Sequence, residues 1–376
     1  MTDISTLFPE NYEASRGRFR KNLARVQTMW PNAQLSQHRL ASSEDLTIDW
    51  IHATALKQND KVFVLTTGEH GIECYVGSAM LQRFIEMYLH QLDPNDTGLL
   101  LVHAINPWGM KHRRRTNRFN VDLNRNFVWN PEDLDLTFNP GYDDLNSFLN
   151  PQSPIPSLFW RQLGILLQLA RHLLSKGKDS LREAVLLGQY RYPKGLFFGG
   201  DTIQEETALI RGLYQNVLGQ YDHMVHLDMH TGYGPRYQMS LVNSVLEERG
   251  SAQLSQIFDY PLIVAVNTEE FYFIRGDMID YVYTLRDKIF PQKRLYATSF
   301  EFGTYGESDL AMIRNLRIVI LENQLHWHGT SMLEVEKRVR YLFGELFAPQ
   351  GADWRAKAVA DADRAFQGIL RSEGFI

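Results

Sequence analysis

Two kinds of apolar pattern alternate along this chain. Val62-Phe63-Val64-Leu65 is a short run of β-branched and aromatic residues, which predicts a buried strand. From Cys74 to Leu89 the apolar residues recur at helical spacing, and Leu99 to Ile105 forms a second apolar run. Strand, helix and strand in that order predict a crossover unit within a parallel or mixed sheet. Upstream, Tyr12 to Trp30 has amphipathic helical spacing, with Arg and Lys on its outer face. Leu40 to Leu56 predicts two strands, the second alternating apolar and polar residues over Leu46 to Ile51. Downstream, Met224 to His230 and Ala297 to Gly303 predict two further strands. Helices are expected at Leu158 to Leu174 and at about Thr202 to Gly219.

These elements predict an α/β chain, with helices flanking a mixed, mostly parallel central sheet in three α/β/α layers. The whole chain, 1–376, reads as a single domain. Proline and glycine punctuate 130–200, which reads as an insertion capping one side of a site, because long excursions of this kind are often functional. Leu333 to Phe347 and Trp354 to Leu370, within 333–370, read as C-terminal packing helices.

Composition narrows the function classes. With 44% hydrophobic and 12% aromatic residues the chain can bury a sizeable core. A net charge of -5 argues against a general nucleic-acid binder, whose affinity rests on neutralising phosphates. The single cysteine, Cys74, excludes an internal disulfide and a cysteine-based zinc knuckle; it reads as a small buried residue. Met1-Thr2-Asp3-Ile4-Ser5 opens without a basic region, and no apolar stretch is long enough for a signal peptide or membrane span. A cytoplasmic protein with no membrane partner is expected; the oligomeric state is left open.

The candidate chemistry gathers where predicted strands end. Thr66-Thr67-Gly68-Glu69-His70-Gly71-Ile72-Glu73 lies between a strand and a helix, at the carboxyl edge of a sheet where α/β proteins place ligands. His70 and Glu73, three residues apart in a first helical turn, can converge on one ion. Such spacing arises by chance roughly once in a chain of this composition, so alone it does not distinguish a metal site from coincidence. His230 and Glu301 also end apolar strands, each followed by a glycine-containing turn. His230 is the natural third ligand. Glu301, between Phe300 and Phe302, has the partial desolvation that raises a carboxyl pKa toward a general base's range. His103, within a strand, reads as a satisfied core histidine. His326-Trp327-His328 would need strand geometry to converge on a metal and is not read as a site.

Lys111 to Arg118 is arginine-rich and leads into Asn120-Val121-Asp122-Leu123-Asn124-Arg125-Asn126-Phe127. A charge run is usually solvated surface, but guanidinium groups also hold carboxylates and stabilise an oxyanion. His70-Gly71-Ile72-Glu73, Arg114-Arg115, the Asn120 to Phe127 run, His230 and Glu301 resemble, in content and order, the zinc metallocarboxypeptidase family. The likeness spans about Val62 to Gly303. His230-Thr231-Gly232 also resembles the third-ligand motif of the related aspartoacylase and succinylglutamate desuccinylase branch.

The resemblance implies a carboxypeptidase-like fold, one zinc ion per chain and zinc-dependent hydrolysis of an amide bond beside a free carboxylate. It makes His70, Glu73 and His230 the zinc ligands and Glu301 the general base. Arg115 becomes the oxyanion partner, with Arg114 an alternative in register. Asn124 and Arg125 would bind the substrate carboxylate, and Asp122 would orient the first histidine, a role expected for a metal-bound imidazole. Tyr272 matches the family's mobile tyrosine. Arg275 would face the released side chain and favour an acidic one. A carboxypeptidase acting on small peptides is the leading expectation; N-acyl amino acid deacylation and cell-wall peptide cleavage are the alternatives. A non-catalytic carboxylate-binding module is the alternative from another class.

Overall fold

The computed structural model describes residues 4–42, 44–265 and 274–376. Among these residues eight strands form: β1 (Gln34–Arg39), β2 (Thr47–Ala53), β3 (Lys61–Thr67), β4 (Thr97–His103), β5 (His223–Gly232), β6 (Met239–Asn243), β7 (Ile263–Ala265) and β8 (Arg294–Gly303). They form one sheet in the order β1-β2-β4-β3-β5-β8-β6-β7. The central β4, β3, β5 and β8 run parallel, and β6 pairs parallel with β7. The β1/β2, β2/β4 and β6/β8 pairs are antiparallel. The sheet is therefore mixed and mostly parallel, as the apolar runs predict.

Twelve α-helices surround it among the described residues. They are α1 (Tyr12–Gln27), α2 (Cys74–Met87), α3 (Pro107–His112), α4 (Pro140–Leu149), α5 (Leu158–Lys176), α6 (Lys178–Leu187), α7 (Glu205–Gln220), α8 (Ser251–Phe258), α9 (Met278–Ile289), α10 (Asp309–His328), α11 (Leu333–Phe347) and α12 (Ala352–Ser372). Strand side chains alternate between faces, and the core divides accordingly. Phe63 and Leu65 of β3 pack with residues of α1, α2, α8 and α12. Val62 and Val64 pack on the other face with residues of α7 and α9. A helical layer thus covers each face of the sheet.

The excursion at 130–200 folds into α4, α5 and α6 and has a third apolar cluster. There Tyr142, Phe148 and Ile165 meet Ile320 and Leu321 of α10 and Val339 of α11. No helix among the described residues is long and apolar enough to cross a membrane.

Several elements lie outside the sequence expectation, β6, β7, α8 and α9 among them, and two differences have a plain physical cause. The first strand lies at Gln34–Arg39, ahead of the expected Leu40, because as an edge strand it buries little and its sequence is polar. Helix α10 was not expected, because it buries residues against both the excursion and the rest of the fold and so lacks a single apolar stripe. His103 is buried, with its Nε2 2.8 Å from the Ser15 hydroxyl, and burial pushes its pKa down to about 3. Cys74 is fully buried, and its thiol is pushed up to about 12 by burial, as an inert core residue should be.

Candidate metal centre

Three strand ends build the site. After β3 the chain turns through Gly68, at φ 75°, where a Cβ would lie 2.7 Å from Cys74 Cβ. His70 follows, then a single 3-10 turn, Gly71–Glu73, that leads into α2. A Cβ on Gly71 would fall 2.2 Å from the carbonyl carbon of Gly109, so only glycine lets this turn rest against α3. That contact brings the arginine loop alongside. Gly71 N–H donates to the Arg115 carbonyl at 3.1 Å, and Ile72 N–H donates to that of Arg114 at 2.9 Å.

His230 arrives from the neighbouring strand, β5, and Glu301 from β8. These two are direct partners in the parallel β5/β8 register. Thr231, the next residue after His230, donates its N–H to Glu73 Oε2 at 2.8 Å, locking the carboxylate between the two histidines.

His70, Glu73 and His230 are all buried, and their donor atoms converge. His70 Nδ1 lies 3.2 Å from Glu73 Oε1 and 3.2 Å from His230 Nδ1. His230 Nδ1 lies 3.4 Å from Glu73 Oε2. Donors about 2.05 Å from a tetrahedral zinc are separated by about 3.3 Å, so the spacing fits that ion. The far side of each imidazole is held by a carboxylate. His70 Nε2 is 2.9 Å from Asp122 Oδ1, and His230 Nε2 is 2.5 Å from Asp228 Oδ2. Such carboxylates fix the tautomer that turns the other nitrogen's lone pair toward a metal. The residues present therefore fit a zinc-like dication.

The electrostatics agree with this arrangement. Burial pushes the Glu73 carboxyl up, but His70 and His230 outweigh it and hold the group well below the usual carboxylate range. Burial likewise raises Asp122, and Arg115 and His70 more than reverse it. Glu301 is pushed up to about 8 by burial, and Glu73 adds to the rise while His230 and Arg115 oppose it. A dication held beside it would favour the charged carboxylate and so lower that value. One Glu301 oxygen is buried without a hydrogen-bond partner.

Of the two candidate arginines, Arg115 lines the cavity above the histidines and Arg114 does not. Arg115 Nη1 donates to Asp122 Oδ2 at 2.6 Å, and its Nε lies 3.6 Å from Glu73 Oε1. Arg114 turns the other way, with its Nε 3.1 Å from Glu322 of α10.

The structure does not bring the other expected substrate residues to this cavity. Asn124 accepts the Met278 N–H at 2.9 Å and donates to Asp277 Oδ2 at 3.1 Å, tying its turn to the start of α9. Arg125 is buried, donating to the Asn124 carbonyl at 2.8 Å and the Leu186 carbonyl at 3.0 Å. Arg275 donates to the Asp133 carbonyl at 3.1 Å, and its guanidinium lies 3.9 Å from the Phe138 ring centroid. None of the three is among the cavity-lining residues. Tyr272 lies outside the described residues.

Two other asparagines, one in the arginine loop and one in the motif, act as scaffold. Asn117 accepts the Phe119 and Val121 N–H groups at 3.0 Å, and Asn126 donates to the Gly199 carbonyl at 2.7 Å.

Two acidic residues were not singled out from the sequence. Asp228 precedes His230 by two positions on one strand, so both point to the same face; that spacing was the available signal. It accepts a hydrogen bond from Thr66 Oγ1 at 2.5 Å. Glu69 is fully buried, its Oε2 3.5 Å from His230 Nε2, and burial pushes its carboxyl well up. Glu69, Asp228 and His230 form a second cluster of donors close enough for a metal. It uses the opposite nitrogen of His230, and Glu69 and Asp228 do not line the cavity.

Among curated proteins nothing matches this chain. Solved structures similar to it include carboxypeptidase A from Helicoverpa armigera, at 14% identity and TM-score 0.46, over 88% of this chain and 73% of that one. Bovine thrombin-activatable fibrinolysis inhibitor is similar at 14% identity and TM-score 0.46, over 86% of this chain and 97% of that one. The ectoine utilization protein EutE (DoeB) from Ruegeria pomeroyi is similar at 16% identity and TM-score 0.36, over 78% and 67% of the two chains. A family model covers residues 8–361, nearly the whole chain, and the protein belongs to that family, described as a protein of unknown function (DUF2817).

Proposed function

We propose that this chain is a zinc-dependent hydrolase that cleaves an amide bond beside a free carboxylate, in a small peptide or an N-acyl amino acid. The observation that carries the reading is the convergence of His70 Nδ1, Glu73 and His230 Nδ1 at 3.2 to 3.4 Å. Glu301 and Arg115 line the same cavity.

Zinc held by those three residues would supply Lewis acidity, polarising a carbonyl and making water a stronger acid. The remaining work falls to the chain itself. Glu301 accepts the proton that water gives up as it attacks, then passes it to the departing amine. Arg115, fixed by Asp122, places a guanidinium where the carbonyl oxygen gains charge. Asp122 and Asp228 keep the two imidazoles turned so that each Nδ1 faces inward.

Recognition of the substrate carboxylate is the part of the reading that rests on the sequence resemblance. Arg125 could serve only by exchanging its contact with the Leu186 carbonyl for the substrate. Arg182 of α6 already lines the cavity and offers a second guanidinium there.

Elemental analysis of the purified protein and of His70→Ala tests the metal. About one zinc per chain, lost in the variant, is expected. A panel of short peptides, muropeptides and N-acyl amino acids then tests the reaction, with Glu301→Gln as control. Loss of turnover by a factor of about 10² to 10⁴ in that variant is expected for a general base. Turnover unchanged in Glu301→Gln would remove Glu301 as the base, and no turnover of any panel member by the zinc-loaded protein would turn the reading toward a non-catalytic carboxylate-binding module.

A further inference from the structure

The cavity above the metal ligands has a volume of about 390 Å³, and most of its wall is apolar. Resting on the amide-hydrolase reading, we propose that its substrate is an N-acyl amino acid whose acyl group is a long aliphatic chain.

Three helices supply most of the aliphatic wall. Leu169 and Leu173 come from α5, Leu181 and Val185 from α6, and Ile313 and Leu316 from α10. One end of the same cavity is formed by His70, Glu73, Arg115 and Glu301. A ligand that fills the apolar part is therefore continuous with the reacting end.

The chemistry of that wall chooses between the two substrate classes. A peptide brings one N–H and one C=O per residue, and each costs free energy when buried without a partner. Away from the metal ligands, the neutral polar side chains among the lining residues are Thr231, Tyr233 and Asn315. Thr231 and Tyr233 follow His230 directly in sequence, so α10's Asn315 is the amide that remains for the helical wall. That is too little for a run of peptide bonds. The charged side chains of the helical wall are Lys178, 2.5 Å from Asp309, and Arg182, the guanidinium already placed for the substrate carboxylate, so the rest of that wall is almost wholly apolar. An acyl chain has no polar atoms to satisfy, and branched side chains of Leu, Val and Ile pack closely around methylenes.

Size sets the length. At about 30 Å³ per non-hydrogen atom, the cavity holds roughly a dozen. With the amide and part of the amino acid occupying the metal end, roughly eight to ten acyl carbons remain.

The test is an N-acylglycine series from acetyl to hexadecanoyl, read in two ways on the zinc-loaded protein. Binding to Glu301→Gln by calorimetry avoids turnover, and hydrolysis by the unsubstituted enzyme gives kcat/KM. Affinity and kcat/KM should rise up to about fourfold per methylene, then level near ten carbons. Leu173→Trp and, separately, Leu316→Trp should move that plateau to shorter chains and lower kcat/KM for the long chains more than for N-acetylglycine. Two independent sites guard against one variant failing to fold.

Hydrolysis of acetylglycine or of dipeptides without any rise along the series would overturn the acyl-chain proposal and leave the amide-hydrolase reading standing. Chain-length-dependent binding without hydrolysis of any amide would sustain the acyl cavity and remove the hydrolase reading.

Discussion

Glu206 offers a quantitative test of how the arginine loop is held. It lies in the first turn of α7, 2% exposed, and accepts a hydrogen bond at 3.3 Å from Asn117, the residue that folds the loop between Arg115 and Asp122. Burial, reinforced by Glu205, pushes its carboxyl up from 4.5 to about 7. A raised folded-state value means that the folded protein holds a proton the unfolded chain has released. The resulting stabilisation is complete below about pH 4.5 and is lost as pH rises through about 7. In Glu206→Gln the amide oxygen still accepts from Asn117, but nothing titrates. Integrating between the two pKa values, wild type should lose about 2.5 kcal/mol relative to the variant between pH 5 and pH 8. For a chain of this size that corresponds to a relative Tm change of roughly 3 °C. Paired thermal melts across that range, each with wild type and variant, measure it. A stability gap that stays constant with pH would refute the assignment of a buried, proton-holding carboxyl at this position.

Other consequences are open to direct measurement. Asp122→Asn should weaken zinc binding about 10- to 100-fold, since it loosens both His70 and Arg115, and competition with a chromophoric chelator reads it. An unaltered affinity would show that His70 is oriented by something else. Gly71→Ala should cost roughly 1 to 3 kcal/mol in urea unfolding, because the new methyl group meets the Gly109 backbone at 2.2 Å. Stripping metal with a chelator should lower Tm, and readdition of zinc at about 100 times its Kd should restore about 2.7 kcal/mol of stability. A Tm indifferent to chelator would count against a built-in site.

The parts of the fold legible in the sequence are those where burial leaves a simple signature. Central strands such as β3 and β4 are buried almost throughout, so they read as unbroken apolar runs. Their ends then located His70, His230 and Glu301. Polar β1, displaced from its expected position, and the unexpected two-faced α10 lack that signature. Asp228 was legible in principle from its spacing to His230, whereas the orientation of Arg125 was not. Its guanidinium is satisfied by the carbonyl of Leu186, 61 residues away in sequence, and only the folded chain shows that. Arg114 and Arg115 are neighbours in sequence, and which of them faces the ligands depends on how α3 leans against the Gly71 turn.

The β5/β8 ladder has a consequence for how such a protein can change. His230 and Glu301 are held side by side by backbone pairing, while much of the cavity wall is lent by α5 and α6 of the excursion. On the proposed hydrolase reading, reaction and selectivity are thus inherited from separate stretches of chain. A lineage can lengthen, shorten or re-line the excursion and move to new substrates with its chemistry intact, whereas a single-residue slip in β8 would turn Glu301 to the opposite face and end the chemistry at once. Variation among relatives should therefore concentrate in 130–200, and grafting that segment between them is the natural route to altered selectivity.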